Sequence, residues 1–174
     1  MKESAQIQII RAGQEQLSLL KNISVQTFSE SFANANTMED MDLYLKDTFN
    51  DALLEKELKD HETLYYLIFF GSEAAGYLKL NLGENQKESL KEAVEIERIY
   101  ILREFQNKNL GLHLLEKTYA VAQENNLKQV WLGVWEHNPG AIRFYKRNDF
   151  VEFGQHPFIL GTDKQTDILM KRYL

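Results

Sequence analysis

Hydrophobic and polar positions along the chain change their period several times. Ile7 and Ile9 alternate with Gln6 and Gln8 and the pattern stops at Gly13, the signature of a short strand. From Gln14 to about Asp60 the spacing becomes threes and fours, through Leu17, Leu20, the stretch from Ser24 to Phe28, and then Met41, Leu45, Phe49, Leu53 and Leu54. That period predicts two or three helices. The run Leu64 to Phe70, rich in Tyr, Ile and Phe, predicts a strand, and Gly71 to Gly76 reads as a hairpin turn. Beyond it Leu78, Leu80 and Leu82 alternate with Tyr77, Lys79 and Asn81.

After a polar, acidic stretch from Gly83 to Glu92, alternation places Val94, Ile96 and Tyr100 on one face of a strand and Glu95, Glu97, Ile99 and Ile101 on the other. Two carboxylates in line with two isoleucines suit neither a core face nor a solvent face, so this face is expected to look into a crevice. A bulge would change which carboxylate points inward. Leu112, Leu115, Tyr119 and Ala122 predict a helix from about Leu110 to Asn125. A buried-type strand at Val130 to Trp135, a short helix at Pro139 to Arg147, and strands around Phe158 to Leu160 and Ile168 to Leu174 complete the reading. The order is β, two or three α, β, β, β, α, β, α, β, β, a mixed α/β (α+β) class with a parallel pair flanking the helix at Leu110.

Composition narrows the chemistry. The 174 residues, read as one domain spanning 1–174, include no cysteine, which excludes disulfide scaffolds, thiolate metal sites and acyl-cysteine intermediates. Four scattered histidines with no HExxH spacing argue against a metal, so none is expected. The polar start and the absence of a long apolar run predict a cytoplasmic protein with no membrane partner. A net charge of -6 disfavours nucleic acid as a partner and suits a cation better.

The most informative stretch is EIERIYILREFQNKNLGLHLL, Glu95 to Leu115. A loop of Asn107, Lys108, Asn109 and Leu110 running into Gly111 and Leu112 at a helix start would aim free backbone N–H groups at one point, where the helix dipole favours a phosphate. An ordinary turn using Gly and Asn for left-handed backbone explains the same residues. The segment resembles the Q/R-x-x-G-x-G/A signature of the GNAT acetyltransferase superfamily, with Asn109 standing where a Gly is usual. Downstream, Asn138, Ala141, Phe144, Tyr145 and Phe150 are similar to a second GNAT motif, with Asp149 in place of another Gly. Asn138 followed by Pro139 also fits a plain helix N-cap, and Tyr145 also fits a core aromatic. The matches AGYLKLN, EIERIYI, WLGVWE and QTD-x-x-M resemble most closely the PaiA-type spermine and spermidine N-acetyltransferases.

That resemblance implies a GNAT fold: a mixed, mostly antiparallel sheet of about six or seven strands, splayed between the fourth and fifth and flanked by helices. It implies acetyl-CoA as cosubstrate, held by the loop amides, by Asn138 and Tyr145, and by the strand at Ile99, Tyr100 and Ile101, whose backbone would also face the oxyanion. The acceptor would be a small cationic amine such as spermidine, attacking directly in a ternary complex. An alkylammonium with a pKa near about 10.4 must lose a proton first, and Glu97 or Glu95 are the candidate bases. Tyr145 is the candidate acid for the leaving thiolate. Both glutamates could instead be solvated or paired with Arg98 or a lysine. Nine acidic residues between Glu39 and Glu62, against Lys46, Lys56 and Lys59, would steer a cation toward the acceptor groove, or form a solvated helix face. The alternatives are a protein, peptide or other small-amine acceptor, or a non-catalytic acyl-CoA-binding regulator. The family implies a monomer or homodimer.

Overall fold

The structure, a computed structural model, describes residues 6–174. Its strands are β1 (Ile7–Arg11), β2 (Thr63–Phe70), β3 (Glu73–Asn81), β4 (Ala93–Ile101), β5 (Gln129–Trp135), β6 (Val151–Leu160) and β7 (Asp163–Tyr173). They form one sheet in the order β1-β2-β3-β4-β5-β7-β6. Only β4 and β5 run parallel; every other neighbouring pair is antiparallel. A parallel pair cannot be closed by a hairpin, and here the crossover is α4 (Leu110–Glu124). The mixed, mostly antiparallel sheet expected from the sequence is therefore present.

Three helices fill the interval between β1 and β2: α1 (Leu17–Phe32), α2 (Met38–Thr48) and α3 (Asp51–Lys59). Their boundaries follow from side chains that accept orphan N–H groups: Thr37 from Asp40 N at 3.1 Å, and Asn50 from Leu53 N at 2.9 Å. Asn138 does the same for α5 (Pro139–Arg147), accepting from Ala141 N at 3.1 Å with Pro139 at the first helical position.

Two sequence expectations are corrected here. The turn between β2 and β3 is only Gly71 and Ser72, because β3 begins at Glu73 and a register shift at Ile68/Phe69 absorbs the extra length. The last two strands begin earlier than their apolar runs, at Val151 and Asp163, and the added part of β6, an edge strand, is exposed on both faces.

Most of the buried apolar residues fall in two clusters. A large cluster including Leu78, Leu80, Ile96, Leu110, Leu114, Leu132 and Met170 packs along the sheet with α4. A smaller aromatic cluster, Phe28, Phe32, Met41, Phe49 and Leu160, joins α1 and α2 to β6. Phe32 reaches the sheet at Tyr100 and Trp135, with ring centroids 6.4 and 5.8 Å apart.

Candidate active site

β4 carries the irregularity that builds the site. Lys79 of β3 faces Arg98, yet its neighbour Leu80 faces Ile96, so Glu97 is the extra residue of a bulge. Directly paired residues share a face, so Glu95 lies with Asn81, Arg98 with Lys79, and Tyr100 with Tyr77, while Ile99 lies with Leu78 and Ile101 with Gly76. The face expected from strict alternation is thus wrong beyond Glu97. Ile99 and Ile101 join Ile96 on the apolar side, and Tyr100 joins the carboxylates.

The polar face so created is a network of buried charges. Lys79 is 4% exposed and places Nζ 2.8 Å from both Glu57 and Glu97. Glu97 also accepts from Asn81 Nδ2 at 2.7 Å and lies 3.3 Å from Arg98 and 3.6 Å from Lys87. Arg98 rests over the Phe49 ring, and Tyr65 donates its hydroxyl to Glu57. Burial alone would raise the Glu97 pKa, but Arg98, Lys79 and Lys87 together outweigh it and hold the carboxyl far below its usual range. Glu95, accepting from Asn81 Nδ2 and Lys87 N at 3.0 Å, is dominated by burial, and its pKa is pushed up.

β4 and β5 pair only from Ala93 to Ile96 against Gln129 to Leu132. Beyond that point the strands diverge, leaving the edge of β4 at Ile99, Tyr100 and Ile101 without a strand partner on that side. A cavity of about 230 Å³ occupies the opening. Ile99, Tyr100, Ile101, Asn138, Tyr145 and Glu97 line it, together with Lys87, Arg98, Gln106 and Asp167. Phe28, Phe32 and Tyr44 from the helices, with Trp135 and Phe158 from the sheet, form an aromatic wall. Tyr145 is mostly buried, and burial alone pushes its hydroxyl well above the ordinary phenol range. Glu95 is not among the lining residues; it sits behind Glu97.

The loop from Leu102 to Asn109 enters α4 with Asn107 and Asn109 both left-handed, at φ 62° and 60°. Asn is the non-glycine residue that adopts this conformation most easily, so the exchange for glycine leaves the backbone path intact. Asp149, at φ 65°, repeats this at the other departure from the motif. The Asn109 side chain makes no capping bond, so the first N–H groups of α4, at Leu110 and Gly111, point outward from an uncapped positive helix end. Leu112 N is already bonded to Asn109 O at 3.0 Å, and the Leu110 side chain is buried in the core. Lys108 places its ammonium over the Phe70 ring, 5.4 Å from the centroid. Gly111 lies against Phe144 of α5, where a Cβ would meet the ring at 3.4 Å.

The sheet is thus splayed between two parallel strands, with an uncapped crossover helix at the open end and a tyrosine in the opening. The family model described as acetyltransferase (GNAT) family matches residues 25–150. The chain belongs to the GNAT acetyltransferase family. An uncharacterised N-acetyltransferase from the pepI 3′ region of Lactobacillus delbrueckii subsp. lactis is 37% identical, covering 97% of this chain and 98% of that protein. A spermidine N(1)-acetyltransferase of Thermoplasma acidophilum is 21% identical over 96% of this chain and 98% of its own. Among solved structures, the PaiA N-acetyltransferase of Thermoplasma acidophilum in complex with coenzyme A superposes with a TM-score of 0.81 at 18% identity, covering 97% of this chain and 99% of that one.

Pairing of Glu97 with Arg98 or a lysine was one of the two alternatives open in the sequence, and the lysines are Lys79 and Lys87; the sequence did not single out those two, nor Asp167 or His156. A signal for Lys79 was present: Tyr77, Lys79 and Asn81 alternate with leucines, a polar face on a strand with no solvent side. The acidic run lies on α2, α3 and the turn that follows them. None of its nine carboxylates lines the main cavity; Glu57 and Asp60 border a second cleft of about 290 Å³ beside Lys79 and Glu97. Others are taken up locally: Asp40 by Thr162, Asp51 by Lys21 and Glu55 by Lys59. Among the described residues no group of three His, Cys, Asp or Glu side chains converges as a metal site, and no helix is long and apolar enough to cross a membrane.

Proposed function

We propose that this chain transfers acetyl from acetyl-CoA to the primary amine of a small cationic acceptor, with spermidine-like polyamines the first class to test. The observation that carries the reading is the single opening shared by the unpaired edge of β4, Tyr145 and the carboxylate of Glu97. The uncapped start of α4, with left-handed Asn107 and Asn109, suits a pyrophosphate, and Asn107, Lys108, Asn109, Leu110 and Gly111 would hold it mainly through backbone N–H groups, while the Leu112 N–H, bonded to Asn109 O, would close the first turn beneath it. When bound, acetyl-CoA supplies an activated carbonyl and a thiolate leaving group. Backbone N–H groups of Ile99 to Ile101 would stabilise the charge developing on the carbonyl oxygen. Asn138 and Tyr145 would border the thioester, and the Tyr145 hydroxyl would return a proton to the sulfur.

The proton leaving the ammonium cannot rest on Glu97. With its pKa held below about 4.5, against about 10.4 for the amine, direct transfer is uphill by more than about six units. Glu97 therefore acts through water, orienting a molecule that takes the ammonium proton and delivers it to bulk solvent before the neutral amine attacks, while Glu95 supports Asn81 and the loop at Lys87. Polyamine as acceptor is supported by the spermidine N(1)-acetyltransferase relative. A second reading, an amine on an aromatic or apolar body such as a peptide N-terminus, is favoured by the aromatic wall and by the distance of the acidic run from the cavity.

The test is thiol release from acetyl-CoA with spermidine, spermine, short diamines, arylalkylamines and peptides. Release with polyamines and diamines alone supports the first reading, and release with aromatic amines or peptides alone supports the second. Acetyl-CoA binding without release on any amine would leave the non-catalytic regulator.

A further inference from the structure

Asp167 is the cavity carboxylate that the scheme above leaves unused. It lies on β7 opposite Trp135, on the same face of the sheet as Glu97, and is about 15% exposed. Lys87 and Arg98 line the same cavity but are engaged by Glu97. Among the described residues the ionic partner of Asp167 is His156, its cross-strand neighbour on β6, with Nε2 3.6 Å from Oδ2. The other ring nitrogen of His156 lies 2.9 Å from Glu88, in the loop before β4. Three side chains from a loop, β6 and β7 thus stand in line, ending at the cavity. Asp167 raises the His156 pKa, against the effect of burial and with help from Glu88. Gly133 of β5 makes the space: a Cβ there would approach Asp167 Oδ2 and His156 Nε2 to 3.1 Å each.

When His156 is protonated the line carries one net negative charge, and Asp167 is its member at the cavity. The nitrogen that attacks the thioester must be neutral when it reacts, so a fixed ionic partner is of most use to a nitrogen that stays charged. Beside Asp167 the Trp135 and Phe158 rings can cover methylene groups. We infer that Asp167 anchors the second, non-reacting ammonium of a diamine or polyamine acceptor, and that His156, braced by Glu88, is the positioning residue that fixes the Asp167 carboxylate. The inference rests on the small-amine reading and deepens it, because it selects acceptors with two cationic nitrogens over monoamines.

The experiment compares wild type, Asp167→Asn and His156→Gln, with spermidine and n-butylamine as probes. Spermidine binding is followed by calorimetry, which needs no turnover, and kinetics by thiol release. Asp167→Asn should weaken spermidine binding and raise its KM at least tenfold with kcat within about threefold, while butylamine kinetics stay unchanged. His156→Gln should give a smaller rise in the same KM, again without loss of kcat, and Asp167→Glu should recover part of the binding. A thermal melt confirms that each variant is folded. Equal spermidine affinity in wild type and Asp167→Asn overturns the anchor, as does equal loss for spermidine and butylamine. Turnover of aromatic amines or peptides by a wild type that does not bind spermidine overturns the anchor and leaves the acetyltransferase reading standing. Spermidine binding that depends on Asp167, without turnover of any amine, supports the anchor and overturns the proposed reaction.

Discussion

Lys79→Met tests whether the buried network behind the cavity is held together by charge. The lysine contributes one ammonium to two carboxylates, Glu57 and Glu97, both at 2.8 Å, and its side chain is only 5% exposed. Methionine keeps most of the stem and removes the charge. Stranding one member of a buried ion pair costs about 3–5 kcal/mol. Arg98 and Lys87 remain beside Glu97, and Tyr65 remains on Glu57, so the lower part of that range, about 3–4 kcal/mol, is expected at pH 7. For a chain of this size that is a fall in Tm of about 6–16 °C. The loss should depend on pH. Glu97 has a depressed folded pKa, so its stabilising contribution is fully present above the unfolded value near 4.5 and disappears as pH falls through the folded value. The difference between wild type and variant, measured by urea denaturation, should therefore be largest near pH 7 and shrink below about pH 4.5. Lys79→Met combined with Glu57→Gln should recover part of the loss. A difference under about 1 kcal/mol at pH 7, or one that stays constant on acidification, would refute the argument that charge balance holds this network.

Glu95 should behave with the opposite sign: its folded pKa is raised by burial, so its favourable contribution belongs to low pH and is lost as pH rises from about 4.5 through the folded value. Glu95→Gln, which can still accept from Asn81 and Lys87, should be at least as stable as wild type at pH 7 and lose that advantage in acid, read from denaturation midpoints across the range. Tyr145→Phe should lower kcat at least tenfold while leaving acetyl-CoA affinity, measured by calorimetry, nearly intact; unchanged turnover would remove Tyr145 from the acid role. At φ 60°, Asn109→Val should destabilise the start of α4 by about 1–2 kcal/mol and raise the acetyl-CoA KM severalfold, whereas Asn109→Gly should leave both near wild type.

Regular periodicity made most of the elements legible. The helices of residues 14–60, the α4 crossover and the α5 cap at Asn138 were all readable, because each depends on spacing or on a residue type at a chain terminus of the element. The loop and Tyr145 were legible only through two ordered motifs. What escaped were features that no local period marks. The β6 strand is an exposed edge, so although Val151 and Phe153 alternate with Glu152 and Gly154, the alternation marks no buried face. The Glu88–His156–Asp167 line joins residues 68 and 11 positions apart, and nothing in the chain between them records that they meet. The sequence counts the charges of the acidic run without showing which are already paired, as Asp51, Glu55 and Glu57 are.

The bulge at Glu97 explains why this site needed a structure. Strict alternation assigned Tyr100 to the apolar face and Ile99 and Ile101 to the polar one, and a single extra residue reverses all three. The same residue lets Glu95, Glu97 and Arg98 crowd onto one face, a concentration of charge that a regular strand spaces out. The bulge also sits at the level where β4 leaves β5, since Ile96–Leu132 is their last pair. Two departures from regular sheet geometry therefore coincide. The divergence exposes the backbone edge that an oxyanion requires, and the bulge brings the compensated charges beside it. Deleting Glu97 would remove only the extra residue: Ile99 and Ile101 would stay with Ile96 on the apolar side and Arg98 and Tyr100 on the polar one, so the core against α4 would keep its register while the cavity lost a carboxylate. The bulge therefore adds a carboxylate to the polar face without moving the residues that pack against α4, and it is Glu97's partners Lys79, Arg98 and Lys87 that tie this added charge to the stability of the fold.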